Sequence, residues 1–447
     1  MRQRDILWFW LPLFASWLLM TTEGPTISAV INRLPDEVVM LAAQGIVVSL
    51  SVTIESPIIN LLSTATALVH NRQSYLMVRR YTIHWSIVLT VLAAALAFTP
   101  LFDLIVVSWM GTPPEIARWV RPGLQIMTLW SAAIAWRRFL QGVLIHFGYT
   151  RYVGWGTAVR LLASASTAIG LAFLSGLPGV IIGALALMAG VIAEAGFATW
   201  AVRPLLNSEL AAPDTDDGDF LTYSELFWFH LPLASTSVLT LLAQPLVAVS
   251  LARLENPTLS LAAWPLIFQL TLLTRAAAMA LPEAVIALTE GPETRAPVRR
   301  FSLMLAAVST VVMVLFVFSP LLPFYLVQIQ DTELGVASLA AYGTRLFLLY
   351  PAFFVLVSWL RGILIHDRET SVVNAGMAIN LAVTAIVLFL GVTARLTGIL
   401  TAALALNAAI VAELLYLFMR RRRHGARETT IASTTSPYLQ PVKQKTT

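Results

Sequence analysis

Apolar runs of about twenty residues or more follow one another along nearly the whole chain, separated only by short stretches of arginine, proline and glycine. A bilayer core about 30 Å thick takes around 20 apolar residues per helix, so each run has the length of a membrane span. Of the 447 residues 58% are hydrophobic and 12% charged, with a mean hydropathy of +0.78. A soluble protein needs roughly a quarter of its residues charged. Lipid is therefore the main solvent, and no extramembrane domain of useful size remains.

Breaking the runs at charge and Pro/Gly clusters predicts helices over 6–31, 38–69, 77–110, 116–147, 150–174 and 179–203, then over 223–253, 258–289, 298–328, 334–366, 369–393 and 396–420. The fold class is thus all-α, with about twelve spans in two six-helix bundles, 1–203 and 223–420. The run from Met1 to Ile31 is too long for a signal peptide and reads as the first span. Residues 204–222, with Pro213, Asp214, Asp216, Asp217, Gly218 and Asp219, read as a solvated linker, and the polar tail 421–447, which holds Lys443 and Lys445, as disordered. With the N-terminus in the cytoplasm, the inner loops carry Arg2, Arg4, Arg72, Arg79, Arg80, Arg151, Arg203, Arg295, Arg299, Arg300, Arg368 and Arg420 to Arg423. The outer loops carry only Arg33, Arg118, Arg121, Arg253 and Arg395. The positive-inside bias places both termini in the cytoplasm of a multi-pass cell-membrane protein.

The halves are copies. A shift of 220 residues superposes Leu11-Pro12-Leu13 on Leu231-Pro232-Leu233, Pro25 on Pro245, Arg33-Leu34 on Arg253-Leu254, Arg79-Arg80 on Arg299-Arg300, Pro100 on Pro320, and Gly142 and His146 on Gly362 and His366. A one-residue slip then pairs Glu194 with Glu413. Both copies cross the membrane with the same orientation, so an axis along the membrane normal relates them, and two such bundles can rock about a central cleft.

Ionisable residues at membrane depth are costly enough to be candidate functional groups. Glu55 and Arg275 occupy equivalent positions in the two halves, which suggests a pair facing the cleft; the alternative is a permanent ion pair, or two residues satisfied locally. Gln44, Ser51 and Glu55 fall on one helical stripe, the pattern of a wall facing water. Glu283 lies two turns beyond Arg275, and Glu23 precedes Gly24-Pro25, where a proline frees backbone groups that its carboxyl can bond instead of a proton or cation. Six arginines (137, 138, 160, 275, 345 and 361) face five glutamates (23, 55, 194, 283 and 413) within the spans. Guanidinium forks fit phosphate and carboxylate oxygens, so this balance leans toward an anionic substrate. Repeat-paired Glu194 and Glu413 read as structural ties, and His146 and His366 as caps on the last carbonyls of their helices.

The chain has no cysteine, and no metal-spaced cluster or hydrolase, protease or nucleotide-binding motif, so an enzyme, a cofactor or a metal centre has no visible chemistry here. The net charge of +5 sits at span ends and in Arg420 to Arg423, which argues against nucleic acid.

Two halves with in-register prolines in the first and seventh spans resemble the multidrug/oligosaccharidyl-lipid/polysaccharide (MOP) exporter superfamily, whose best-known branch is the multidrug and toxic compound extrusion (MATE) transporters. Within it, the stretch Ile31 to Ala42, Glu55-Ser56-Pro57, Ala135 to His146, Phe227-Trp228 and Leu281-Pro282-Glu283 resemble the progressive ankylosis family. That resemblance covers most of the chain at low identity. It implies a monomeric secondary active exporter without a cofactor, moving pyrophosphate, a nucleotide or a citrate-like anion by alternating access, with a proton or sodium as coupling ion. On this reading Arg275, assisted by Arg138 or Arg345, binds the anion beside Gln44, while Glu55, Glu23 or Glu283 titrates. The alternatives are a MATE-type cation or multidrug antiporter and a flippase for a lipid-linked saccharide.

Overall fold

In the computed structural model, which describes residues 2–211, 221–289, 291–367 and 369–434, every regular element is a helix. Arg368, the linker residues Pro213 to Asp219, Lys443 and Lys445 lie outside the described residues. The N-terminal bundle consists of α1 (Gln3–Ile31), α2 (Glu37–Leu68), α3 (Arg72–Phe98), α4 (Pro114–Ile126 and Trp130–His146), α5 (Thr150–Leu174) and α6 (Gly179–Asn207). The C-terminal bundle repeats the order with α7 (Tyr223–Ala252), α8 (Pro257–Leu288), α9 (Pro292–Phe318), α10 (Leu334–Leu346 and Tyr350–His366), α11 (Thr370–Thr393) and α12 (Gly398–Thr434). The face carrying the N-terminus is called here the terminal face, and the opposite one the far face.

Ten of these helices are long and apolar enough to cross a membrane, and eleven if the bent pair in α10 counts as one span. The twelfth expected span, α4, is the repeat mate of that bent pair; it is broken at Met127–Leu129, carries Glu115, Arg118, Arg121, Arg137 and Arg138, and is not in the apolar set. It nevertheless packs on α2, α3 and α6 inside its bundle.

Prolines account for the early ends of two expected helices. Thr99 and Ser319, each followed by proline, are pushed into extended backbone, so α3 ends at Phe98 and α9 at Phe318. The rest of each expected helix is a separate π-helical turn, Asp103–Trp109 and Phe324–Ile329. Ahead of Pro25, Pro57, Pro245 and Pro282, spans α1, α2, α7 and α8 are interrupted but not ended. At the other ends, α6 runs on to Asn207 and α12 to Thr434, beyond the expected stops at 203 and 420. The 220-residue shift extends to the loops: Asp36 and Asn256 both adopt left-handed backbone, as do Gly111 and Asp331.

The halves meet along α2 and α8. There Gly45 faces Pro265, so closely that a Cβ on Gly45 would lie 2.7 Å from the proline ring. These two residues are repeat mates, so the pseudo-twofold axis passes between them. Within each half, a second repeated glycine sets the helix spacing. A Cβ on Gly142 would lie 2.4 Å from the Leu62 carbonyl oxygen and 2.6 Å from Ala65, and one on Gly362 would lie 2.8 Å from Val285. Replacing Gly142 with leucine should therefore force α4 off α2 and cost at least about 1–3 kcal/mol, the usual scale of overpacking. Thermal denaturation followed by size-exclusion chromatography in detergent will read this as a lower midpoint, and an unchanged midpoint would remove the close α2–α4 approach as a determinant of stability.

Candidate functional site

The buried charge is concentrated in the N-terminal bundle. Arg160 on α5 grips Glu23 of α1 with both arms, Nε donating to Oε1 at 3.0 Å and Nη2 to Oε2 at 2.6 Å. Its Nη1 lies 3.7 Å from Glu194 on α6. Glu194, 0% exposed, accepts from Arg137 Nη1 and Gln141 Nε2 of α4, each at 3.0 Å from Oε1. Two carboxylates and two guanidiniums thus tie four helices together. A carboxylate at this depth is tolerable only with such partners. Gly190 makes room for the tie, because a Cβ there would lie 3.1 Å from the Arg160 carbonyl oxygen.

The repeat keeps only part of this arrangement. In the C-terminal bundle Glu413 accepts from Arg361 Nε at 2.7 Å and from Asn380 Nδ2 at 2.9 Å. Gln141 and Arg361 are repeat mates, as are Arg160 and Asn380. Each copy therefore supplies one cation and one amide to the same carboxylate, with the two roles exchanged between neighbouring helices. Glu23, Arg137 and Arg138 correspond to Ala243, Val357 and Ser358, so the additional charges belong to the N-terminal half alone.

Glu55 and Arg275 are not brought together. Ten residues separate Glu55 from Gly45, a turn of about 280° beyond whole revolutions, which moves it off the α2–α8 seam. Its carboxylate, 7% exposed, lies in the field of Arg137, Arg138 and Arg160, beside Trp130, and its Oε2 has no hydrogen-bond partner. Arg275 turns into its own half. Its guanidinium lies 4.7 Å from the Phe354 ring and 5.7 Å from that of Phe268, with one long hydrogen bond, 3.5 Å, to the Tyr350 hydroxyl. Its Nε is buried without a partner, and among the described residues it forms no ion pair. Trp130 and Tyr350 are repeat mates, so equivalent aromatic walls carry opposite charges in the two halves.

The remaining candidates are dispersed. Gln44 is 6% exposed and packs against Gly183 with both amide atoms unpartnered, so the stripe it forms with Ser51 and Glu55 faces the bundle interior and not a wet cleft. Next to Ser51 lies a cavity of about 10 Å³, lined also by Met127 and Ser131, room for a single water at most. Arg138 is partly buried, its Nε unpartnered, while Glu283 and Arg345 are exposed and join none of the other candidates. His146 does not cap its own helix; its Nδ1 lies 2.9 Å from the Thr66 carbonyl oxygen near the end of α2, and its Nε2 lies 3.3 Å from His70. His366 bonds the Asp367 side chain at 3.0 Å. In both cases a better-placed acceptor displaces the terminal carbonyls.

The interface between the halves is bonded at both depths by two reciprocal pairs of contacts that sequence reasoning missed. On the terminal side, Trp10 Nε1 donates to the Ala277 carbonyl oxygen at 3.0 Å and His230 Nε2 to the Pro57 carbonyl oxygen at 2.8 Å. On the far side, Arg33 Nη2 donates to the Ile329 carbonyl oxygen at 2.8 Å, and Arg253 donates to the Trp109 carbonyl oxygen. Each donor and each acceptor maps onto its counterpart at the 220-residue shift. The acceptors sit at span breaks or at the ends of π turns, where carbonyls lack their regular helical donors. Between the halves, an opening of about 420 Å³ lies at the far-face seam around Asn32, Glu37 and Asp331.

The fold is that of the MATE-type transporters of the MOP superfamily, and the chain is a multi-span membrane protein. The lipid II flippase MurJ in an inward closed conformation matches with a TM-score of 0.70 at 13% identity, over 92% of this chain and 87% of that one. The MATE multidrug transporter DinF-BH matches at 0.68 and 14% identity, over 94% and 95%. A MOP superfamily transporter from Pyrococcus furiosus, for which a reverse polarity of the binding pocket suggests a different function, matches at 0.62 and 13% identity, over 95% and 96%. No protein-family profile and no curated protein matches the chain. The likeness to the progressive ankylosis branch rests on the sequence stretches quoted above.

Cutting one end of the buried tie should cost more than removing it whole. Glu194→Ala leaves Arg137 without its carboxylate in a site where both side chains are at most 4% exposed. We expect a loss of about 3–5 kcal/mol, the usual scale for breaking a buried pair, read as a fall in the detergent unfolding midpoint. A double change, Glu194→Leu with Arg137→Leu, should recover part of that loss; a double variant less stable than both single ones would contradict a mutual tie.

Proposed function

We propose that this chain is a secondary active transporter that exports a small anion by rocking of its two bundles, with both termini in the cytoplasm. One observation carries the anion reading. The buried carboxylates Glu23, Glu194 and Glu413 each hold a guanidinium, whereas Arg275 faces an aromatic wall with no carboxylate. A half-buried cation without a counter-charge is costly, and a substrate that brings its own negative oxygens removes that cost. Planar guanidinium matches phosphate or carboxylate geometry, which suits the pyrophosphate, nucleotide or citrate-like substrates implied by the progressive ankylosis resemblance. Arg138, also without a bonded carboxylate, is the second cation available to such a ligand in the N-terminal half. Glu55 and Glu23 are the groups offered to a coupling proton or sodium.

A second reading rests on the unpartnered Oε2 of Glu55, which could accept a cationic substrate as in a multidrug antiporter. Its three arginine neighbours weaken that reading, because their positive field opposes the approach of a cation. The MurJ match keeps a lipid-linked saccharide as a third substrate class.

Purified protein in proteoliposomes should take up radiolabelled pyrophosphate, citrate or ATP saturably. Arg275→Ala should abolish that flux, by roughly a hundredfold if one charge-assisted contact of about 3 kcal/mol is lost, while the protein stays folded and inserted. Arg275→Lys should retain a partial rate. Saturable uptake of a cationic dye with no anion flux would overturn the anion reading.

A further inference from the structure

The terminal-side contacts between the halves are equivalent in position but not in chemistry. Trp10 and His230 occupy matching places, donate to matching carbonyls and are both buried, at 5% and 0% exposure. An indole cannot take up a proton at physiological pH; an imidazole can. We propose that His230 is a proton-binding site in the gate between the bundles, and that a proton bound there releases the terminal face.

Hydrogen-bond geometry fixes the resting state. The Pro57 carbonyl only accepts, so His230 Nε2 carries the hydrogen, and Nδ1, 2.8 Å from Thr64 Oγ1, accepts from that hydroxyl. A proton can reach Nδ1 without breaking either contact, because the Thr64 hydroxyl can turn its hydrogen to the Asn60 carbonyl oxygen, 3.2 Å away. The resulting imidazolium would lie between α7 and α2, with the Tyr81 ring 5.5 Å and the Trp85 ring 6.4 Å from it, and no compensating charge.

Among the described residues, the elements packed on the Tyr223–Leu241 part of α7, which carries His230, supply no such charge. On α2, Glu55 belongs to the arginine cluster and Glu37 sits at the far face. On α3, Tyr81 is the one titratable ring against His230, His84 bonds Tyr223, and Arg72, Arg79 and Arg80 are exposed. Helix α11 carries no charged residue between Thr370 and Thr393, and on α7 itself Glu225 is bonded to Thr222. Closure therefore penalises the charged ring, whereas parting α7 from α2 would let water solvate it. The sign follows: the open terminal face holds the proton more tightly than the closed one, so a fall in pH favours opening. The second contact at this level, from Asn60 to the Leu233 carbonyl oxygen and the Ser237 hydroxyl, is neutral and does not oppose the response.

The absence of cysteine makes the test direct. Thr150 and Thr370 are exposed repeat mates at the terminal-face ends of α5 and α11, and Thr150→Cys with Thr370→Cys places one spin label on each half. In the full chain reconstituted in nanodiscs, the longer-distance population should grow as pH falls from about 8 to about 5.5, the range of imidazole titration, by up to about tenfold per pH unit, the limit for one proton. His230→Gln keeps an N–H donor for Pro57 but does not titrate, and His230→Trp restores the residue type of the repeat mate; both should hold the short distance at either pH. Labels at Leu174→Cys and Ala394→Cys, at the far-face ends of the same helices, should report unchanged distances in these variants if they are folded. A wild-type distance that ignores pH, or a His230→Gln protein that opens with pH as the wild type does, overturns the proposal. The readout uses no substrate, so it stands or falls apart from the anion reading.

Discussion

Charge placed where water is scarce is the constraint on which this molecule depends. Helices with as little side-chain polarity as these have few directional contacts to fix their mutual positions. The Arg160–Glu23 and Arg137–Glu194 pairs provide such contacts by making separation of α1, α4, α5 and α6 expose unpaired ions to a low-dielectric interior. Asn380, Arg361 and Glu413 hold α10, α11 and α12 by the same logic with a smaller set. The N-terminal set is the larger, and the glycine contacts at Gly142, Gly183 and Gly190 let its tied helices approach closely.

Both kinds of contact between the halves exploit interruptions in helical hydrogen bonding. Prolines at 57 and 282 break α2 and α8, and prolines at 100 and 320 give way to π turns. The freed carbonyls become acceptors for donors from the opposite copy: Trp10 and His230 on one side, Arg33 and Arg253 on the other. Duplication produced a matched pair at each level, and divergence has since changed one member of one pair. That single asymmetry, indole against imidazole, is what gives one level of the interface a chemical handle that the other three donors do not have.

Much of the fold was legible in the sequence because its signals are long. Span length, the 220-residue repeat and the in-register prolines survive any local ambiguity, and the repeat even anticipates left-handed residues such as Asp36 and Asn256. The site was less legible because helical phase decides which way a buried residue points. Equivalent positions for Glu55 and Arg275 suggested a pair, yet both turn into their own bundles, because ten residues of helix carry each of them away from the Gly45–Pro265 seam. The repeat did hold usable information that residue type alone concealed: Trp130 with Tyr350, and Trp10 with His230, align at the same shift as the obvious matches. Their partners are backbone carbonyls, which no sequence pattern marks.

The contact between Gly45 and Pro265 has a mechanical meaning. A residue that touches its own repeat copy lies on the line relating the two bodies, so a motion that treats the bodies alike moves the two residues symmetrically about that line. One of them offers no side chain and the other a closed ring, so no flexible side chain holds the two helices apart at this point. Lying eight residues, about 12 Å, inside the far end of α2, this point is off the centre of the span, so any tilt about it would move the terminal ends of the bundles farther than the far ends.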